Sequence, residues 1–460
     1  MKTRHYKHHS LLAASLIILS GCAVGPDYKK AESAAPLAYS QPTPEAAIDV
    51  AHWVELYNEP QLAALVELAR LYNYNLDALY QRTLQSRTII NRERSGRRPQ
   101  VNTNAAANSF EDSEELGNSG ESEDSYSAGL TLGWELDLFG RVARLVEAAE
   151  ADAEASQAAY DELLLLTETD VAINYFRLRA LKREIEAVER SVETRRESLD
   201  IIEQRFESGT VSDLDVAQSE TLLAESEADL AALLRTSEAL EHALAVLTGQ
   251  YATDFEVDVG RLAGSPVVAP VGLPSSLLTR RPDLRQAEFA LQAANARVGV
   301  ATANFYPRIT IGGSAGFAAL DAGNWFKNTA GFYSIGPEVS LPIFQGGRLR
   351  SELSRTELAY AEALSLYQQA VVEAFAEVED ALSGWRHLST QRAARERAAS
   401  SAQRAQSIAD KQYRSGLIDF ISALDAERTA LDAERRLAQV IGDEYENSVR
   451  LIRSAGGNWQ

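Results

Sequence analysis

From about Arg141 to Phe206 the chain carries no proline, and apolar residues recur on a seven-residue spacing at Leu164, Val171, Leu178, Ile185, Val192, Leu199 and Phe206. Leu181, Val188 and Ile202 fill the intermediate positions. A sustained seven-residue repeat predicts a left-handed coiled-coil seam. At 1.5 Å per residue, one helix over this stretch reaches roughly 100 Å. A second such run starts at Val371, Val378 and Trp385, fades through Arg392, Ala399 and Gln406, and returns at Tyr413. Elsewhere the period is two. Tyr126, Ala128, Leu130, Leu132, Trp134, Leu136 and Leu138 alternate with Ser127, Gly129, Thr131, Gly133, Glu135 and Asp137. The same alternation runs from Tyr333 to Ile343, and weaker partners lie at Val101 to Phe110 and Ile309 to Phe317. Period two predicts strands with one apolar face.

These elements occur twice. Phe206-Glu207-Ser208-Gly209 returns as Tyr413-Arg414-Ser415-Gly416, and Arg98-Pro99-Gln100-Val101 returns as Tyr306-Pro307-Arg308-Ile309. Leu138-Phe139-Gly140-Arg141 has its counterpart in Ile343-Phe344 followed by Gly346-Gly347-Arg348. An offset of about 207 residues lies far outside the period of solenoid repeats. The chain therefore divides into two copies, 58–265 and 266–460, each reading helix, strand pair, very long helix, helix. Ahead of them stand a leader, 1–21, and a segment, 22–57.

The leader changes the picture most. Lys2, Arg4 and Lys7 precede an apolar stretch from Leu11 to Leu19, too short to span a bilayer, and Leu19-Ser20-Gly21 leads to Cys22, the only cysteine. This is an export signal that ends on Cys instead of Ala-x-Ala. It resembles the lipobox of bacterial lipoproteins, in which the cysteine is lipidated and opens the mature chain. Ala23 in place of Asp favours the outer membrane under the bacterial sorting rule. An ordinary leader followed by an incidental thiol is the competing reading, although an unpaired thiol is unusual in an oxidising compartment. The formal charge of −21, made more negative by loss of the basic leader, argues against nucleic acid and anionic surfaces as partners. Beyond the leader no apolar run reaches the length of a spanning helix.

Strands of about ten residues with one apolar and one polar face suit a transmembrane barrel; a soluble sandwich with one covered face is the alternative. Four strands cannot close a barrel, and an open edge in lipid leaves backbone groups unpaired. The sequence thus predicts that strands are pooled with other copies of the chain. Glu111-Asp112-Ser113-Glu114-Glu115, with Glu121, Glu123 and Asp124, reads as a hydrated acidic loop joining the first strand pair, most simply at the extracellular side.

Across nearly the whole mature length the chain resembles the outer-membrane efflux factors, the TolC and OprM-like channels, in their lipidated NodT-like branch. The most specific pieces are Cys22-Ala23-Val24-Gly25-Pro26-Asp27-Tyr28, Arg280-Arg281-Pro282-Asp283-Leu284, Leu341-Pro342-Ile343-Phe344 with Gly346-Gly347, and Gly456-Gly457-Asn458-Trp459. Asn458 interrupts the glycine run usual before that tryptophan. The resemblance implies a mixed α/β membrane channel, in which three chains give four strands each to a twelve-stranded barrel. Their long helices form a periplasmic α-barrel. It also implies an inner-membrane RND-type pump and a periplasmic adaptor as partners, outer-membrane lipid around the barrel, and a passive conduit with no cofactor. By motif match, Ser208-Gly209-Thr210 and Ser415-Gly416-Leu417 would form the adaptor-docking tip. Glycine at a helix reversal is equally explained by the turn alone. Tyr413, Ile421, Asp425 and Arg428 match the periplasmic gate, with Asp425 at the constriction. The first copy has Gln218 at the corresponding position, so an acidic ring would come from the second copy only.

Signals for catalysis do not converge. Gly312-Gly313-Ser314-Ala315-Gly316 fits the hydrolase nucleophile pattern, but that motif belongs between a strand and a helix, and here it lies inside an alternating run. The histidines are dispersed, three of them in the leader, without metal-ligand spacing. The competing function is a lipid-anchored coiled-coil structural or adhesion protein of the cell surface, which accounts for the helices but not for two matched strand pairs.

Overall fold

The computed structural model describes residues 23–30, 36, 38–41, 53–111, 115, 122–262, 264–267 and 274–457. The leader with Cys22, most of the acidic loop, and Asn458-Trp459 lie outside these residues. A short 3-10 turn, Trp53–Tyr57, leads into α1 (Pro60–Tyr72) and α2 (Tyr74–Ser95). Strands β1 (Gln100–Glu111) and β2 (Ser122–Leu136) follow, then α3 (Arg141–Glu207) and α4 (Asp213–Leu247). The second half runs α5 (Pro274–Arg280), α6 (Pro282–Ala303), β3 (Arg308–Ala319), β4 (Gly331–Ser340), α7 (Arg348–Arg414) and α8 (Phe420–Ser454). Corresponding helices have equal lengths: α2 and α6 have 22 residues, α3 and α7 have 67, α4 and α8 have 35. These three helix pairs match in length, whereas β2 and β4, with 15 and 10 residues, do not.

The strands form one antiparallel sheet in the order β1-β2-β3-β4. Register sorts its two faces. Leu132 lies opposite Val101 and Gly313, Trp134 opposite Ile311, and Ile311 opposite Pro337, so the apolar sets of all four strands share one side. Asn102, Thr131, Ser314 and Ser334 line the other. The Gly312–Gly316 run lies inside β3, with Ser314 on that polar face. Two strands are shorter than their alternation. β2 stops at Leu136 because the Asp137 carboxylate accepts from the Val142 and Ala143 amides, at 2.9 and 2.7 Å, and starts α3. β4 stops at Ser340, two residues before Pro342, which has no amide to donate to a ladder.

The chain packs into two compact units, each drawing on both halves. The first, from residues 81–157 and 286–369 with 23–30, contains the sheet. Its N-terminal strap is held by a shaped cradle. The Val24 amide donates to the Phe139 carbonyl at 3.1 Å. Buried Arg144 donates to the Asp27 carboxylate at 2.7 Å and to the Val24 carbonyl at 3.3 Å. Asn295 donates to the Pro26 carbonyl at 3.0 Å. Gly25 has φ +94°, and a Cβ there would fall 2.5 Å from the Gly299 Cα.

The second unit comprises described residues of 38–80, 158–285 and 370–457. Its core gathers Trp53, Leu62 and Val66 against Val171, Phe176 and Leu178 of α3 and Ile441, Tyr445 and Val449 of α8. The seven-residue seam is buried at Val171, Leu178, Ile185 and Val192, with Val188 and Ile202 between. Phe206, in the last turn of α3, is exposed instead.

Gly25→Ala should free the strap, since it combines an unfavourable φ with a backbone clash, together costing about 1–3 kcal/mol. Trypsin cleavage at Lys29 and Lys30 is expected to speed up roughly tenfold, because cleavage follows the open population. An unchanged cleavage rate would show that the cradle does not hold the strap.

Candidate functional site

Both long helices end on the same device. At the first turn Gly209 has φ +73°; its amide donates to Phe206 O at 2.8 Å, and the Thr210 amide reaches back to Arg205 O at 2.9 Å. At the second, Gly416 has φ +72°; its amide donates to Tyr413 O, and the Leu417 amide to Gln412 O, both at 2.9 Å. Two bonds closing over a left-handed residue satisfy carbonyls that the helix end would otherwise orphan. Nothing lies within 4 Å of a Cβ built on either glycine, so conformation alone selects glycine at both turns. The side of each turn is then open to solvent: Leu417 is 74 % exposed.

The returning helices start on caps of different chemistry. Ser212 caps α4 in a capping box with Asp215, whose carboxylate accepts from the Ser212 amide at 2.9 Å and from its hydroxyl at 2.8 Å. Asp419 caps α8 by accepting from the Ser422 amide at 2.9 Å. Both carboxyls are held below their ordinary value of 3.8, Asp215 chiefly by its bond from the Ser212 backbone and Asp419 chiefly by its bonds to Ser422.

The gate candidates occupy the last turns of α7 and the first turns of α8. The Tyr413 hydroxyl accepts from the Arg205 guanidinium of α3 at 3.0 Å, and that guanidinium stands 5.5 Å from the Tyr413 ring centre. Tyr413 also packs on Phe420, with ring centres 5.5 Å apart. Asp425 and Arg428 pair with each other at 2.7 Å, one turn apart on α8. With side chains 64 % and 71 % exposed, this pair is worth little to stability. Ile421 is 56 % exposed. Ile421, Leu424 and Asp425 face Leu214, Gln218 and Leu222 across an open groove of about 620 Å³ between α8 and α4. The structure therefore brings Gln218 and Asp425, the matching positions of the two copies, to opposite walls of one groove. Tyr413 lines a separate groove of about 340 Å³ with Ile202, Arg205, Asp410 and Phe420.

Two residues that sequence reasoning did not single out organise this region. Arg205 is the partner that anchors Tyr413. Arg195, with its side chain only 8 % exposed, donates to Glu427 of α8 at 3.0 Å and to the Leu222 carbonyl of α4 at 2.8 Å, so one guanidinium ties three helices together. An arginine on a charged helix surface gives no sequence signal of such burial. Among the described residues no group of three or more histidine, cysteine or acidic side chains is placed to hold a metal ion, and no helix is long and apolar enough to cross a membrane.

A sheet with one apolar face and two open edges, joined to paired long helices with tight glycine turns, is the architecture of an outer-membrane channel protomer. The chain belongs to the outer membrane efflux protein family, which matches residues 54–250 and 273–457. It is 31% identical to the solvent efflux pump outer membrane protein SrpC of Pseudomonas putida, over 98% of this chain and 99% of that one. It is 26% identical to the cation efflux system protein CusC of Escherichia coli O6:H1, over 96% and 97% of the two chains. The solved structure of the outer-membrane channel OprN matches with a TM-score of 0.86 at 30% identity, covering 95% of this chain and 100% of that chain.

The caps give the turns a defined pH response. A carboxyl whose folded value is depressed contributes stability that is present above its unfolded value and lost as pH falls through the folded one. Amide protection in the first turns of α4 and α8, taken relative to the intrinsic exchange rate at each pH, should therefore fall as pH drops below 3.8. Asp419→Asn keeps the cap, since Asn is as good at that position, and should flatten the response in α8 alone. Retention of the full loss of protection in Asp419→Asn would assign the response to another group.

Proposed function

We infer that this protein is the outer-membrane channel of a tripartite efflux pump, a passive duct for solutes such as drugs and other toxic compounds. An inner-membrane RND-type transporter and a periplasmic adaptor deliver the solute. Three chains contribute four strands each to a twelve-stranded barrel in outer-membrane lipid, and their long helices, from the repeats 58–265 and 266–460, form the periplasmic α-barrel. Cys22 carries the lipid anchor. The observation that carries the reading is the pairing of an apolar sheet face with two unpaired edges, β1 and β4, in a chain of this family. A surface coiled-coil rod leaves that sheet unexplained.

In this reading no bond of the solute is made or broken, and the residues act by shape and charge. The open turns Ser208-Gly209-Thr210 and Ser415-Gly416-Leu417 present the docking surface for adaptor hairpins. Asp425, repeated by three-fold symmetry, rings the closed end with carboxylates that concentrate cations and hinder anions. Ile421 narrows that end. The Arg205–Tyr413 bond holds α7 against α3, and Arg428 partly neutralises Asp425. The names of relatives, a solvent pump component and a cation system component, fit a duct whose cargo is chosen by the pump behind it.

Purified protein in a planar bilayer should form ion-conducting channels with cation preference under a salt gradient. Asp425→Ala is expected to shift the reversal potential toward zero at low ionic strength, with the difference fading as salt screens the carboxylates. Absence of conductance would remove the channel reading. Conductance with an unshifted reversal potential would remove Asp425 from the constriction and leave the channel in place.

A further inference from the structure

The connection between β3 and β4 does not stand away from the sheet. β2 leads into α3, α6 leads into β3, and β4 leads into α7, so the helices join the sheet at one end and the β3–β4 connection lies at the other. At that far end Tyr126 of β2 and Phe317 of β3 lie on the apolar face, in the same alternation as Ala128, which sits opposite Phe317. The connection folds back over them. Trp325 stands 5.6 Å from the Tyr126 ring, Phe326 stands 5.7 Å from the Phe317 ring, and Trp325 and Phe326 stack at 4.9 Å.

This cluster has a sharp polar border. Asp321 accepts from the Gly323 amide at 2.7 Å, Tyr126 donates toward Asp124 at 3.4 Å, and the Lys327 ammonium is held by Asn324. On the other side the apolar face continues without a break into Tyr333 and Ile335, 84 % and 70 % exposed, while Phe326 itself is 66 % exposed. Aromatic clusters with a polar border collect at membrane–water boundaries. Here Asp124, Asp321 and Lys327 supply the wet edge, since the Trp325 indole nitrogen is itself buried in the cluster without a hydrogen-bond partner among the described residues.

We propose that the β3–β4 connection is a membrane-interface anchor, with Trp325 and Phe326 seated at the boundary between headgroups and acyl chains on the outer side. It would set the depth of the sheet in the bilayer rather than act as a free surface loop over the pore. The occupant of this exposed face is lipid, because the patch is continuous with the apolar sheet face and carries its charges only along the far border. The proposal rests on the channel reading above.

Depth-dependent fluorescence quenching separates the two. The full-length protein is reconstituted in phosphatidylcholine vesicles brominated either near the headgroup end of the acyl chain or near its terminus. Trp325→Phe and Trp134→Phe are compared with the parent protein. Trp134 lies on the same apolar face at the helix end of β2 and reports whether the sheet is in lipid at all. Trp325→Phe preserves an aromatic ring, so folding should be retained, and the loss of quenching it causes is the Trp325 component. That component should be strong with shallow bromine and several-fold weaker with deep bromine. Quenching lost in Trp134→Phe but unaffected in Trp325→Phe would put the connection in water and overturn the anchor, leaving the channel intact. A Trp325 component quenched equally or more by deep bromine would place it in the hydrocarbon core and overturn the anchor as well. Absence of quenching at both positions would overturn the sheet's place in the membrane, and the anchor with it.

Discussion

Backbone hydrogen bonding at the sheet edges is the constraint from which the rest of the assembly follows. Among the described residues β1 and β4 each pair on one side only, and each leaves a row of amides and carbonyls without a strand partner there. In water such an edge is tolerable; in hydrocarbon every unpaired group costs several kcal/mol. The apolar face made by the register of all four strands is what commits the sheet to hydrocarbon. A sheet so committed, and too small to curl closed on itself, requires other copies to supply the missing neighbours. Oligomerisation is thus part of folding the sheet rather than a later step.

The helical part obeys a different logic. Its seven-residue seam is buried from Val171 to Val192, and arginines add ion pairs and hydrogen bonds between its helices and loops. Arg179 pairs with Glu59 and donates to the carbonyls of Gly260 and Arg261. Arg435 pairs with Glu184 and Asp229, and Arg453 with Asp170. Arg179 and Glu184 are the buried members of these pairs, and removing the partner of a buried charge costs about 3–5 kcal/mol, whereas Asp170 and Asp229 stand half exposed to solvent. Such pairs make a shifted helix register expensive. The contacts nearest the turns are different. Arg205 holds Tyr413 by one hydrogen bond and a ring contact, and the Asp425–Arg428 pair is solvated.

Much of this was legible in the chain. Period seven announced the long helices, period two announced the strands and their apolar side, and the repeated glycines marked both turns. Each of those signals is local, carried by residues a few positions apart. What stayed hidden depends on long-range placement. The Arg144 cradle joins residues 120 positions apart, Arg144 and Val24, and 269 positions apart, Asn295 and Pro26. Arg195 looks like any surface arginine until α4 and α8 close over it. The alternation beyond Leu136 and Ser340 overran the strands because it does not register that Asp137 caps a helix or that Pro342 lacks an amide. The aromatic residues between β3 and β4 carry no periodicity at all, and only the folded-back connection shows them as one cluster.

Closure of β1 on β4 between chains is the claim on which the account stands, and covalent capture tests it directly. Cys22→Ser protein carrying cysteines at mid-strand positions of the two edges, Ala105 and Ile335 with neighbouring same-face pairs to find the register, is oxidised in the membrane and run under denaturing conditions. The account predicts an interchain disulfide in at least one pair and a ladder that ends at three chains. A ladder that stops at two or continues past three, or protein that remains monomeric across the whole panel while keeping its strand content, would contradict it.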